Sequence, residues 1–345
     1  MVTIQGEVFF TDSKDIHSKK TGKDYVKIAF DMTDRTNSVR VSKFLAADKA
    51  GDTASKIKKG LYCTVHGKMV YDTFAKEMVL EPTGIVKAKK PERKDTYEGM
   101  KRVELHLHTN MSAMDGMSST ASLLCRAAKW GHRAMAITDH GVMYGAVAFY
   151  KAAVAAGIRP IIGCEVYVAP RGMTDRVHGV DDAYTHLVLL CRDETGYHNL
   201  CYLVSAAFER GFYGKPRIDW PLLREHAEGL ICLSGCVAGD IPRAILRGDY
   251  EAAKARAVEL QALFGEGNFY LELQNHRMTD EARVRAALLR IHRETGIPLA
   301  ATNDVHYIKK QDAYDQDVLL CIQTGQTLDS PERLRFPHDE FYLKS

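Results

Sequence analysis

Apolar and polar positions alternate in short runs through the first 86 residues. The runs predict strands near Thr3–Phe10, Tyr25–Met32, Ser38–Phe44, Leu61–Val70 and Glu77–Leu80. A helical stretch near Ala46–Lys58 falls between the third and fourth of these. Lys19-Lys20-Thr21-Gly22-Lys23 reads as a hairpin turn. From Lys101 the period changes. Short apolar runs at 103–107, 134–138, 159–166, 185–191, 229–233, 268–273 and 298–302 alternate with helical periodicity, as at Ser119–Trp130, Ala146–Ala156, Tyr250–Phe264 and Glu281–Thr295.

Two folding units follow from this change of period. Five strands with a helix between the third and fourth is the order of a five-stranded OB barrel, expected over residues 1–86. Residues 87–100, with Lys87-Ala88-Lys89-Lys90-Pro91, read as a basic linker. Seven strands alternating with helices predict an α/β unit, a parallel sheet curled into a distorted (β/α) barrel. The chemistry of such barrels sits at the carboxyl ends of the strands.

The polar residues at those strand ends carry the functional signal. In Val103-Glu104-Leu105-His106-Leu107-His108 the apolar side chains share one face, and Glu104, His106 and His108 share the other. Two imidazoles two residues apart on a strand lie roughly 7 Å apart at the backbone, close enough to reach one cation. The same signature recurs. Asp139-His140-Gly141 follows the second run, and Glu165 lies at the end of the third. His186 opens the fourth, Cys236 follows the fifth, and Asp304 and His306 follow the last, while Asp115 lies in the loop after the first. A lone strand histidine is usually a hydrogen-bonded core residue. Nine ligand-type side chains at one rim point instead to two or three divalent ions. Histidine and cysteine among them favour Zn²⁺, with Mn²⁺ or Fe²⁺ as alternatives. Asp139, next to a ligand, is expected to orient it. His132, His178, His198, His226, His276, His292 and His338 fall outside the pattern and read as surface or structural.

Composition and charge change the picture only locally. The chain has 345 residues, 46% hydrophobic and 26% charged, with a formal net charge of +3. Residues 1–102 hold 21 Lys+Arg against 14 Asp+Glu, a balance of +7, and the rest holds 26 against 30, or −4. The basic first unit, with aromatics such as Phe9, Phe10, Phe44, Tyr71 and Phe74 beside Lys14, Lys19, Lys20, Arg40 and Lys43, fits a single-strand-binding surface as well as a docking module. Eight scattered cysteines without a CxxC pair read as reduced thiols, with Cys191, Cys201 and Cys321 in the core. No apolar run suggests a membrane span or signal peptide, so a cytoplasmic location is expected.

The segments HLHT (His106–Thr109), TDHG (around His140), the His186 strand and NDVH (Asn303–His306) resemble the PHP domain, a superfamily of trinuclear metal phosphoesterases. The resemblance implies that His106, His108, Glu165 and Asp304 hold one ion and Asp115, His140 and His306 a second. Glu165, His186 and Cys236 would hold the third, with Glu165 bridging. Glu165, Asp115 and His140 would be the residues nearest the chemistry. IIGCEVYVAP, YLELQNH, ATNDVHY and the stretch ending FPHDEFYLKS are similar to the N-terminal region of bacterial DNA polymerase III alpha subunits. The OB module directly before the PHP segment resembles the PolC-type arrangement. The twenty residues between Glu165 and His186 leave no room there for the exonuclease domain usually inserted in that type. On this resemblance 101–325 is the PHP domain and 326–345 begins the polymerase region. DNA, a sliding clamp and a clamp loader are the implied partners. 3′–5′ exonuclease proofreading is the implied activity, against a silent metal-stabilised scaffold or a phosphatase of histidinol-phosphate type.

Overall fold

The computed structural model describes the chain except residues 18–21, 35, 74–75 and 92–93, and leaves the side chains of 49 and 52 undescribed. The turn at Lys19–Thr21 and the aromatic Phe74 therefore lie outside the described residues. The chain divides into two compact units, Met1–Arg93 and Lys94–Ser345.

In the first unit, β1 (Val2–His17), β2 (Asp24–Thr33), β3 (Ser38–Ala46), α1 (Ala47–Lys56), β4 (Tyr62–Asp72) and β5 (Glu77–Lys87) follow in order. The strands close in the order β1-β2-β3-β5-β4, the five-stranded barrel expected. Val8, Phe30, Val41, Cys63, Val65 and Leu80 fill it, supplied by the inward positions of each strand. β5 runs seven residues beyond the predicted Leu80, and the Ala88 N–H still bonds the Tyr62 carbonyl.

The second unit comprises α2 (Thr120–Lys129), β6 (Ala134–Ile137), α3 (Ala146–Ala155), β7 (Arg159–Val168), β8 (Thr185–Cys191), α4 (Glu194–Glu209), β9 (Phe212–Tyr213) and β10 (Lys215–Ile218). It continues through α5 (Trp220–Glu225), β11 (Leu230–Leu233), α6 (Asp240–Leu246), α7 (Tyr250–Phe264), β12 (Phe269–Leu273), α8 (Thr279–Thr295), β13 (Leu299–Ala301) and α9 (Ala313–Thr324). The curled sheet runs β13-β12-β11-β8-β7-β10-β9, with β6 pairing the first half of β7, and the 103–108 segment bridges Met135 through Glu104 and Val305 through Leu107. That segment closes a distorted barrel. It is not the regular strand predicted, because side chains take its ladder donors. The His106 N–H turns to Glu104 Oε1 and the Leu107 N–H to Thr138 Oγ1.

The sheet is also not wholly parallel as expected. β8 runs antiparallel to both β7 and β11. The 169–184 connection carries no helix, so the chain turns back instead of crossing over. All eight cysteines are free; Cys321 is buried as expected, Cys191 packs half-buried against the core, and Cys201 is half-buried. Among the described residues no helix is long and apolar enough to cross a membrane.

Residues 336–345 pack back onto the site side of this unit. Asn303 Nδ2 donates to the carbonyls of Glu340 and Tyr342, and Leu343 is fully buried. Ion pairs with Lys310 and Lys344 hold the buried Glu340 carboxyl down at about 2. A depressed carboxyl contributes stability above its unfolded value and loses it as pH falls through the folded one. Glu340→Gln should therefore destabilise the unit by about 1 kcal/mol at neutral pH. The gap from wild type in urea melts should close between pH 4.5 and about 2. A constant gap across that range would contradict the assignment.

Candidate metal centre

Strand ends deliver the site residues to one rim. Glu165 lies within β7, where burial on both faces leaves its carboxylate in the barrel mouth. β6 ends one turn before His140, which bridges Glu165 in parallel register. Gly141 follows with φ 62°, and a Cβ there would press on Pro216 and Tyr167, so the turn that aims His140 requires glycine. His186 pairs with Tyr167, and because β8 is antiparallel its amino end reaches the rim formed by the carboxyl ends of its neighbours. Asp304 follows β13 at φ 44°, a left-handed conformation that costs a non-glycine residue free energy and concentrates at functional sites.

These residues converge. Glu165 Oε1 lies 3.4 Å from His106 Nε2 and 2.9 Å from His186 Nδ1, while Oε2 lies 3.4 Å from His108 Nε2 and 2.7 Å from His140 Nδ1. Asp304 Oδ1 is 3.4 Å from His106 Nε2 and 3.2 Å from His108 Nε2. Asp115 Oδ2 is 3.0 Å from His140 Nε2 and 3.7 Å from His306 Nε2. Cys236 Sγ stands farthest out, 3.9 Å from Glu165 Oε1. Ligand atoms within 4.8 Å of one another form three groups, His106 with His108 and Asp304, His108 with His140 and His306, and His140 with Glu165 and His186. All nine predicted side chains thus meet at one place, with His108 and His140 each shared between groups.

The outer hydrogen bonds fix which ring nitrogens face inward. His106 Nδ1 donates to Glu272 at 2.7 Å, and His306 Nδ1 donates to the Asp304 carbonyl at 2.9 Å. Ser112 gives its hydroxyl proton to Asp139, so it accepts from His108 Nδ1 at 2.9 Å. Each of these rings therefore turns its Nε2 toward the centre, the arrangement by which outer partners orient metal-binding imidazoles. His106 Nε2, His108 Nε2, His140 Nδ1, Glu165 Oε2 and Asp304 Oδ1 are buried without an aligned hydrogen-bond partner. Buried polar atoms normally have partners, so five orphans around one point mark a place for a cation.

Charge tells the same story. Burial pushes the His108 imidazole down to about 3, helped by His140 and His306. Burial opposes protonation of His140 too, but Glu165 and Asp115 outweigh it and raise the ring to about 10. His106 and His306 are likewise raised against burial, by Asp304 and Glu272 and by Asp115 and Asp304 respectively. Burial opposes ionisation of Glu165, yet His186, His140 and His106 hold its carboxyl well below the usual range. Protons on these rings balance the carboxylates; a divalent ion would take their place. Burial, then Glu165 and Asp304, pushes the Cys236 thiol well above its ordinary value, so Cys236 would need the cation itself to ionise.

The supporting shell contains residues that sequence patterning did not single out. Glu272, fully buried on β12, accepts from His106, from Gln274 Nε2 and from Thr302 Oγ1. Only its place two residues before Gln274 in an apolar strand could have signalled it. Asp139 does support the site, accepting from the Thr109 N–H and hydroxyl and from Ser112. His276 is not a surface group. It is fully buried between Glu281 and the Asn303 carbonyl, next to Asp304, and stacks on Phe341. Gln316 on α9 donates to Asp115 at 3.2 Å. Arg171, outside the site, is half-exposed and clamps Asp181.

A curled α/β barrel with a rim of His, Asp and Glu defines a class, and comparison with known proteins gives it a family. The PHP domain model matches residues 104–276, and the chain belongs to that family. It is 48% identical over 247 residues to the DNA polymerase III subunit alpha of Treponema pallidum, covering 71% of this chain and 21% of that protein. It is 47% identical over 254 residues to the same subunit of Thermus aquaticus, covering 71% of this chain and 20% of that protein. The match to the Mycobacterium tuberculosis subunit is 41% over 261 residues, covering 72% and 22%. The chain thus spans about a fifth of the length of these curated relatives. An amidohydrolase from Chromobacterium violaceum aligns over 59% of this chain and 87% of its own, at 15% identity and a TM-score of 0.37.

Proposed function

We propose that this chain is the N-terminal part of a replicative DNA polymerase III alpha subunit, and that its PHP unit is a metal-dependent phosphodiesterase acting on DNA 3′ ends. The five orphaned, inward-facing donor atoms carry the reading. On it, His106, His108, Glu165 and Asp304 hold one ion, Asp115, His140 and His306 a second, and Glu165, His186 and Cys236 a third, Zn²⁺ or Mn²⁺ first and Fe²⁺ after. Divalent ions in such a cluster supply Lewis-acid activation of water and neutralise charge on the phosphate. The chain's own groups orient and balance. Glu165 presents an oxygen to each side, Asp115 and His140 face each other at the solvent edge, and Glu272, Ser112 and Asp139 keep the imidazoles in one tautomer. The boundaries proposed are an OB module over 1–86, a linker over 87–100, the PHP domain over 101–325 and polymerase sequence from 326. The whole would work in the cytoplasm with DNA, a sliding clamp and a clamp loader. The OB unit is proposed to touch single strands. What supports this is the exposure of Phe9, Phe10, Phe44 and Tyr71, with Lys27 over the Phe44 ring. Arg40 is not free for that role, since its guanidinium holds Asp31.

The test is release of 3′-end label from single-stranded DNA by metal-loaded protein. Asp115→Ala and His140→Ala should each lower it on the order of 100-fold or more, with circular dichroism unchanged. Full activity in either purified variant would end the assignment. A second reading, a metal-stabilised scaffold, is favoured by one observation. The ligand-bearing segments around His106 and Asp304 are also those that close the sheet, through Leu107 and Val305. Chelation that lowers the melting temperature of a protein showing no nuclease activity would select it.

A further inference from the structure

Beside the metal centre lies a groove of about 540 Å³ formed by α9 and the 333–339 segment. Two of its lining residues touch candidate ligands. Phe336 meets the His306 ring edge-on at 4.8 Å between centroids, and Gln316 donates to Asp115 at 3.2 Å. The groove therefore shares a wall with the centre. Its acids are already matched. Asp317 is held by Arg333, and Asp339 by Lys310 at 3.3 Å. Arg335 and His338 also line it, exposed and with no hydrogen bond or ion pair among the described residues. Tyr314 presents its ring from the opposite wall, 64% exposed.

We infer that this groove seats the end of a single-stranded DNA substrate, with Arg335 and His338 on backbone phosphate and a base stacked on Tyr314. The inference rests on the phosphodiesterase reading and deepens it by naming the substrate class and its track. A surplus cation and an exposed aromatic ring, lining one groove, are what a strand requires. Phosphate attraction is indifferent to sequence, and every base has a face to stack. A small phosphomonoester would use neither group, because its charge would be neutralised at the centre itself. Phe336, wedged against His306, forms the step at which the strand would pass from groove to metals.

An oligo(dT) carrying 5-iododeoxyuridine at its 3′ end and phosphorothioate linkages against cleavage provides the test, with the whole 345-residue chain. Ultraviolet crosslinking followed by peptide mass spectrometry should place adducts on Tyr314 or Phe336. Yield should fall about tenfold in Arg335→Ala and in Tyr314→Ala. Arg335 and Tyr314 are exposed, so neither change threatens the fold. Adducts absent from the 307–339 segment, or a yield indifferent to both changes, would overturn the groove. Hydrolysis of bis(p-nitrophenyl) phosphate by the wild-type chain, measured alongside, tests the phosphodiesterase reading independently. A chain that crosslinks in the groove without hydrolysing the ester keeps the strand track and loses that reading. One that hydrolyses the ester without crosslinking there does the reverse.

Discussion

Glu165→Gln is expected to strip the centre of at least one ion per chain and to lower phosphodiester hydrolysis by ~10²–10³-fold. The substitution preserves volume, so packing within β7 stays intact. What it removes is a charge and one acceptor at the only carboxylate among the described residues whose two oxygens each face two imidazoles, His106 and His186 on one side, His108 and His140 on the other. The amide that replaces an oxygen points N–H toward ring nitrogens where the carboxylate offered only acceptors. The effect should exceed that of Asp115→Ala, because Asp115 faces two of the imidazoles, His140 and His306, and sits at the edge. Metal content by plasma mass spectrometry and hydrolysis of a labelled strand check both halves. Wild-type values for both would show that Glu165 holds no metal.

Glu104→Ala should be the most damaging change to stability, by about 3–5 kcal/mol and roughly 10 °C in melting temperature. Glu104 is wholly buried, and its carboxylate accepts from the backbone N–H groups of His106 and Asn303 and from Arg102 at 2.6 Å. It thereby ties the first ligand-bearing segment to the last. Alanine would leave two buried N–H groups without an acceptor and Arg102 without its counter-charge, a penalty larger than the worth of the contacts themselves. Glu104→Gln retains one carbonyl acceptor and should recover part of the loss. Thermal melts of the three proteins, with and without chelator, measure this. Equal melting temperatures would show that the segment is held by its apolar side chains alone.

Much of this protein was legible before its coordinates. Apolar runs of strand length, broken by helical periodicity, placed β6, β7, β8 and β11 to β13 within a residue or two, because short apolar runs between helices have little else to be. The identity of the nine candidate ligands was equally plain, since His, Asp, Glu and Cys rarely terminate successive apolar strands without a shared task. Sequence also determined the OB order of the first unit through strand spacing and one intervening helix.

Direction and partnership had to come from tertiary structure. β8 reads like its neighbours, and only the helix-free return from β7 makes it antiparallel, so that His186 arrives from the amino end of its strand. The 103–108 stretch alternates as a strand should, yet Glu104 and Thr138 take its backbone donors and leave it as bridges. Glu272, His276 and Gln316 are unremarkable in the chain. They acquire meaning only because folding sets Glu272 against His106, 166 positions away, and Gln316 against Asp115, 201 positions away. Local pattern records what a side chain can do and which face it takes, since both are properties of short stretches. Which distant group completes its hydrogen bonds is decided by packing across the barrel, and no short stretch contains that information.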